Sequence, residues 1–391
     1  MSPPTDVGLL SPVSAGTVAE TQTGDDAVLA AMLRAEAALL TALATAGVAP
    51  AAVGDAAVVV ASVDVDAHAL ALEAVSGGNP TIPLVPQLRS AVPEDVAPWV
   101  HFGATSQDIV DTALMLVASD VLRQIESELT SLASFLATLC VSGRSVPMVA
   151  RTLTQQALPT TLGFRASGWL AGVHDAVRVV RTCTTLPVSL GGPVGHASAY
   201  GSRGPAVLSA FADALGQRAP VSSWHTRRTP VVGLATALTV TAAACAKIAA
   251  DLLVMGQTEV GEAREGSGGA SSSMAHKANP TQSVLVVSTA RQLPALASVV
   301  GACAVAEQER PAGAWHAEWQ PLRSMLRLAG AAAARTSTYL PEVVFDHDAM
   351  RRNLDLLLTS LSKGSEWAAA ETAHVGVWID RVLEQHEEVF G

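Results

Sequence analysis

The sequence predicts an all-α protein built as a bundle of long helices. Three observations lead there. Apolar residues recur at steps of three or four along four long stretches, strict apolar/polar alternation is rare, and glycines and prolines gather between the stretches. The first stretch, Ser106 to Cys140, places Val110, Leu114, Val117, Val121, Ile125, Leu129, Leu132 and Leu136 on one stripe. Its start is marked by Thr105 and Ser106, which suit a cap, and by Asp108 and Asp111 near the positive end of the helix dipole. A second helix follows Pro159, with Leu162, Ala166, Trp169, Val173, Val177 and Val180 on one face. A third is expected from about Pro230 to Glu262, and a fourth from Pro280 past Val300. Loops are expected at Ser76 to Pro83, Leu186 to Gly204 and Gly266 to Ser273. The organisation expected is an N-terminal helical domain (1–102), a central long-helix domain (103–336) and a short C-terminal helical region (337–391).

With 391 residues, 49% of them hydrophobic and 15% charged, the chain has more apolar surface than one subunit hides, so subunit association is expected. The apolar runs are interrupted by Thr, Ser, Arg and Asp before reaching membrane-spanning length, so no membrane partner is expected. No secretory pattern opens the chain, and the expected location is the cytoplasm. Cys140, Cys183, Cys245 and Cys303 are far apart without C-x-x-C spacing and read as free thiols. A net charge of -11 argues against nucleic acid and requires any polycarboxylate pocket to be locally positive.

No phosphate-loop, dinucleotide or nucleophile-elbow pattern is present, and the histidines show no metal spacing, so neither cofactor nor metal is expected. Lysine usage is unusual. The chain holds only Lys247, Lys277 and Lys363. Lys277 reads either as a solvated loop charge or as a compact ammonium beside a serine-rich loop, able to bind a carboxylate or help a serine lose its proton.

The segment S-S-S-M-A-H-K-A-N-P, Ser271 to Pro280, resembles the S-S-x-M-P-x-K-x-N-P signature of the fumarase, aspartase and adenylosuccinate lyase superfamily. Two further segments agree in order: H-F-G-A-T-S-Q-D-I-V-D-T from His101, and A-R-T-L-T-Q-Q-A-L-P-T-T-L-G from Ala150. The finer pattern, S-L-G-G-P-V-G at Ser189, W-H-T-R-R at Trp224 and A-G-A-W-H-A-E-W at Ala312, is similar to the 3-carboxy-cis,cis-muconate cycloisomerase branch. The resemblance implies a homotetramer in which the three segments, from different subunits, meet at each site. It implies Ser271 as acid/base, with Lys277 and Asn279 as carboxylate-binding and loop-ordering groups. Thr105, Ser106, Thr152, Gln155, Ser272 and Met274 become substrate contacts. Arg151 and Arg228 are added as anion contacts, and His101 and Arg310 read either as anion contacts or as structural groups.

Three departures from the signature stand out. Leu153 replaces the T-H-x-Q histidine, Val284 replaces a glutamate after N-P-x-x-x, and Ala275 replaces the signature proline. The two residues that would protonate a leaving group are absent together. Expelling hydroxide or an amine needs such an acid, whereas a carboxylate, with a pKa near ~4, leaves as a stable anion. The expected reaction is therefore cofactor-free cycloisomerisation of 3-carboxy-cis,cis-muconate to a carboxymuconolactone, with one proton moved by Ser271. Because serine is a weak base, closure of the Gly266 to Ser273 loop is expected to surround its oxygen with cations and N–H groups. Two alternatives stay open: a lyase releasing fumarate from a succinyl compound with a good leaving group, and a catalytically retired homologue.

Overall fold

The computed structural model describes residues 8–266, 269, 274 and 277–391. The helix expected from Ser106 runs Ser106–Ser142 without a break, and its whole predicted stripe is buried. It lies beside Leu162–Arg181, Ala314–Tyr339 and Asp25–Thr45, while Thr229–Met255 packs on Thr281–Ala302 and Ala314–Tyr339. These helices share one continuous core, from Leu39 and Leu40 through Ile125 and Leu129 to Leu238, Leu322 and Met325. The interior is rich in alanine, which lets backbones approach closely.

Several expectations need correction. The third helix stops at Met255 rather than Glu262; Gly256 follows it, and a turn at Gln257 to Gly261 brings Glu262 back toward the bundle. The Ser76 to Pro83 loop is far shorter, because Ala67–Gly77 and Thr81–Ala91 are both helical, and Pro83 falls in a first turn where its missing N–H costs nothing. Asp25–Thr45 and Ala314–Tyr339 are additional long helices; in the latter, Pro321 interrupts the pattern without ending the helix.

A β-hairpin was not expected. Strands Pro147–Thr152 and Gln155–Thr161 pair antiparallel, with Thr152 opposite Gln155 and an irregularity between Val149 and Arg151. The turn residues Leu153 and Thr154 have φ of 49° and 68°. Two successive left-handed residues make a turn whose twist matches the strands, but glycine or asparagine normally fills it. A leucine and a β-branched threonine there hold local strain.

Nor does the expectation about apolar length hold. Asp25–Thr45, Thr229–Met255 and Thr281–Ala302 are each long and apolar enough to cross a membrane. In the first two, 61% and 56% of the apolar window is buried inside the bundle, which accounts for their composition. In Thr281–Ala302 only 22% is buried. Its outer face exposes Val284 and Val299 beside Arg291 and Gln292 and is left uncovered by the described residues.

Candidate active site

The long helix separates the predicted residues into two groups. Thr105 and Ser106 stand at its beginning, and the hairpin carrying Thr152 and Gln155 starts five residues after its end. Thirty-seven helical residues span roughly 55 Å. One small substrate cannot touch both groups in one subunit.

At the first end Asp108 organises the backbone. Its carboxylate, fully buried, accepts N–H bonds from Thr105 (3.0 Å), Gly191 (2.8 Å) and Gly192 (2.8 Å), the Ser189 hydroxyl (3.2 Å) and His225 Nε2 (2.7 Å). The Thr105 bond is the reciprocal half of a capping box, so Asp108, read from the sequence only as a charge near the helix dipole, also caps the helix together with Thr105. The remaining contacts pin the glycine loop against the start of the helix. Gly192 adopts φ of 70°, and a Cβ there would lie 2.7 Å from the Gly103 carbonyl oxygen, so this approach requires glycine. Arg310 touches the outside of the same loop, donating to the Pro193 carbonyl at 3.1 Å.

Arg228, expected as an anion contact, is engaged by carboxylates of its own chain. It is buried and donates to Asp111 at 2.8 and 3.0 Å and to both oxygens of Glu318, while Trp315 Nε1 donates to Asp111 at 2.9 Å. Its guanidinium also lies 4.6 Å above the Trp224 ring. Two carboxylates share one guanidinium here. Burial, together with the charge of Asp111, outweighs Arg228 and pushes the Glu318 carboxyl up to about 7. Asp111, read from sequence only as a dipole partner, is thus one member of a buried ion cluster with Arg228 and Glu318.

His101 sits in the loop before the helix with a left-handed backbone, φ 62°. Its Nδ1 is 2.6 Å from Glu36 Oε1, and Glu36 is buried in the middle of Asp25–Thr45. Burial lowers the imidazole pKa and Arg89 opposes charge, but the Glu36 carboxylate, aided by Asp108, outweighs both and raises it above the ordinary value. His101, Thr105, Ser106, Arg228 and Arg310 therefore share one end, with Arg228 already saturated.

At the other end Arg151 is also engaged. It donates to Glu262 at 2.8 and 2.9 Å, and Asn353 donates to the same carboxylate at 2.8 Å. Arg151, expected as an anion contact, thus braces the hairpin through Glu262. Thr152, Leu153 and Gln155 are exposed at its tip, Leu153 at 96%. Glu265 accepts the N–H groups of Gln282 (3.0 Å) and Ser283 (2.8 Å) and so caps Thr281–Ala302. Asn279 exchanges backbone bonds of 2.8 and 3.0 Å with Gly269, closing the base of the serine loop, and Lys277 is exposed just before it. Below Asn279 and Pro280 lies a cavity of about 310 Å³ that Glu265, Ser283 and Arg264 also line. Met274 is exposed. Ser271 and Ser272 lie outside the described residues, as does most of the loop expected to close over them.

A protein-family model described as "Lyase" matches residues 17–294. The chain belongs to the fumarase/aspartase lyase superfamily. Among its relatives, the nitrosuccinate lyase of Streptomyces davaonensis is 42% identical over 367 residues, covering 90% of this chain and 77% of that protein. The 3-carboxy-cis,cis-muconate cycloisomerase of Bradyrhizobium diazoefficiens is 36% identical over 290 residues, 72% of this chain and 64% of that protein. The solved 3-carboxy-cis,cis-muconate lactonizing enzyme from Pseudomonas putida superposes with a TM-score of 0.86 at 29% identity, covering 98% of this chain and all of that one. The superfamily and the cycloisomerase-like pattern read from the sequence both stand, and this lyase is an enzyme by family.

The residues missed by sequence reasoning are the buried carboxylates Glu36, Glu262, Glu265 and Glu318. Glu36 carried a usable signal: it interrupts an alanine- and leucine-rich run, L-R-A-E-A-A-L-L, at a core-facing position. A glutamate is almost never buried unless paired.

Proposed function

We propose that this lyase eliminates a stable anion from a 2-substituted succinate, leaving fumarate, and that 2-nitrosuccinate is such a substrate. One observation carries the reading: the hairpin tip that holds a histidine in the superfamily signature presents the exposed, apolar Leu153 instead. A leaving group departing there receives no proton. Nitrite needs none, being the conjugate base of an acid about as strong as a carboxylic acid. Ser271 as alkoxide takes the proton from C3, negative charge spreads into the adjacent carboxylate, and the C2–N bond breaks with its electrons going to nitrite. Lys277 and Asn279 hold a substrate carboxylate. The relation to nitrosuccinate lyase, which extends over most of both chains, supports this choice.

Cycloisomerisation is the second reading, favoured by the near full-length likeness to the lactonizing enzyme. A carboxylate adding to a muconate double bond needs no acid at Leu153 either. The helix, roughly 55 Å long, that lies between the two residue groups supports a site shared between copies of the chain, and the weakly covered face of Thr281–Ala302 supports their association as a homotetramer. Incubation with 2-nitrosuccinate is expected to yield nitrite and fumarate in equal amounts. Loss of 3-carboxymuconate absorbance without nitrite release from nitrosuccinate would select the second reading.

A further inference from the structure

We infer that Glu36 is a positioning residue for His101, and that the pair forms a carboxylate-held cationic clamp for a substrate carboxylate beside Thr105 and Ser106. The inference deepens the proposed reading and rests on it for the identity of the ligand. Four observations carry it. Glu36 is buried in the centre of an apolar helix, where an unpaired carboxylate is strongly disfavoured, and its one described hydrogen-bond partner is His101 Nδ1 at 2.6 Å. Its second oxygen, Oε2, has none among the described residues. His101 holds a left-handed backbone, uncommon outside glycine, four residues before Thr105. Its side chain keeps 16% exposure, so one edge of the ring stays accessible while the Nδ1 edge faces Glu36.

The rest of the loop is held as firmly. Tyr200 donates its hydroxyl to the Phe102 carbonyl at 2.9 Å, and Asp108 receives the Thr105 N–H. The charged groups acting on the imidazole come from three elements: Glu36, Asp108 and Arg89, with the two carboxylates prevailing. With Nδ1–H committed to Glu36, Nε2–H is the donor left for a ligand. Arg228, the other cation expected here, is occupied by Asp111 and Glu318. The outward Nε2–H edge therefore turns the positive end of the pair toward a ligand in a chain of net charge -11.

A purely structural tie between helix and loop would hold the fold but would influence neither ligand affinity nor its pH dependence. The test uses the full-length enzyme with fumarate as probe, and NMR titration of the His101 ring, assigned by its loss in His101→Asn. Asparagine tolerates the left-handed backbone but carries no charge. The expected results are a lower His101 midpoint in Glu36→Gln than in the parent, and a fumarate Kd about tenfold weaker in His101→Asn. KM should rise more than kcat falls in both variants. An unchanged midpoint in Glu36→Gln, or fumarate bound as tightly by His101→Asn as by the parent, overturns the clamp. Absence of fumarate binding to the parent does so as well. If Glu36→Gln does not fold, the His101→Asn comparison decides. Fumarate binding that depends on His101 without any nitrite release refutes the proposed elimination and leaves the clamp standing.

Discussion

Arg151 and Glu262 meet through two parallel N–H···O bonds of 2.8 and 2.9 Å beneath the hairpin, both side chains largely removed from solvent. The pair ties the exposed tip, with Thr152 and Gln155, to the turn that follows Thr229–Met255. It exists because Glu262 lies beyond the helix end rather than inside it. Removing one partner leaves the other charge buried. Arg151→Met is expected to destabilise the protein by about 3–5 kcal/mol, and Arg151→Met combined with Glu262→Gln by much less, since glutamine still accepts from Asn353. Denaturant unfolding of the three proteins measures this; equal losses in the single and double variants would rule out the brace.

The proposal that each site is shared between copies makes a prediction about mixtures. Ser271→Ala is expected to abolish turnover with assembly intact, because no other group is proposed to take the proton. Gln155→Ala at the hairpin tip is expected to be strongly impaired. If each site draws these two residues from different copies, co-refolding equal amounts of the two variants restores about one quarter of the parental sites. Recovery of no activity in mixed oligomers, verified by light scattering, would place both residues in one subunit's site.

The Asp111, Arg228 and Glu318 cluster sets a pH dependence. The folded carboxyl of Glu318 titrates at about 7, above its value in the unfolded chain, so the folded state binds the proton more tightly. Stability from this group is complete below about pH 4.5 and is lost as pH rises through about 7, on the order of 3 kcal/mol in all. Glu318→Gln mimics the protonated form and should flatten stability across that window. Urea midpoints at pH 5 and pH 8 give the comparison; a parent whose stability rises over this interval while the variant's stays level would contradict it.

Local periodicity made the Ser106–Ser142 helix legible because its buried stripe, Val110 to Leu136, is unbroken over about seven turns. The three motif segments were equally legible, since their residue types are unusual together. Pairings between distant segments were hidden. Nothing near Arg151 in sequence announces Glu262, and nothing near Arg228 announces Glu318, so both arginines read as contacts to a substrate anion, and their partners within the chain emerged only with the fold. The hairpin escaped for a local reason: its turn uses Leu153 and Thr154 where glycine or asparagine would signal it.

That same turn yields the last prediction. The superfamily signature has histidine at 153 and glutamate at 284, and this chain has Leu153, 96% exposed, and Val284, 51% exposed. If the native leaving group departs unaided, restoring the histidine adds nothing to its departure, and Leu153→His should leave nitrite release from nitrosuccinate within about threefold of the parent. A poor leaving group behaves differently. Hydroxide from malate or ammonia from aspartate requires a proton, and a lone exposed imidazole has no carboxylate to hold its tautomer. Leu153→His alone is therefore expected to remain inactive on both. Leu153→His with Val284→Glu supplies the acid and its orienting carboxylate together, and should show measurable fumarate formation from malate or aspartate. Parental release of fumarate from malate would show that this site possesses an acid elsewhere, and would remove the argument built on Leu153.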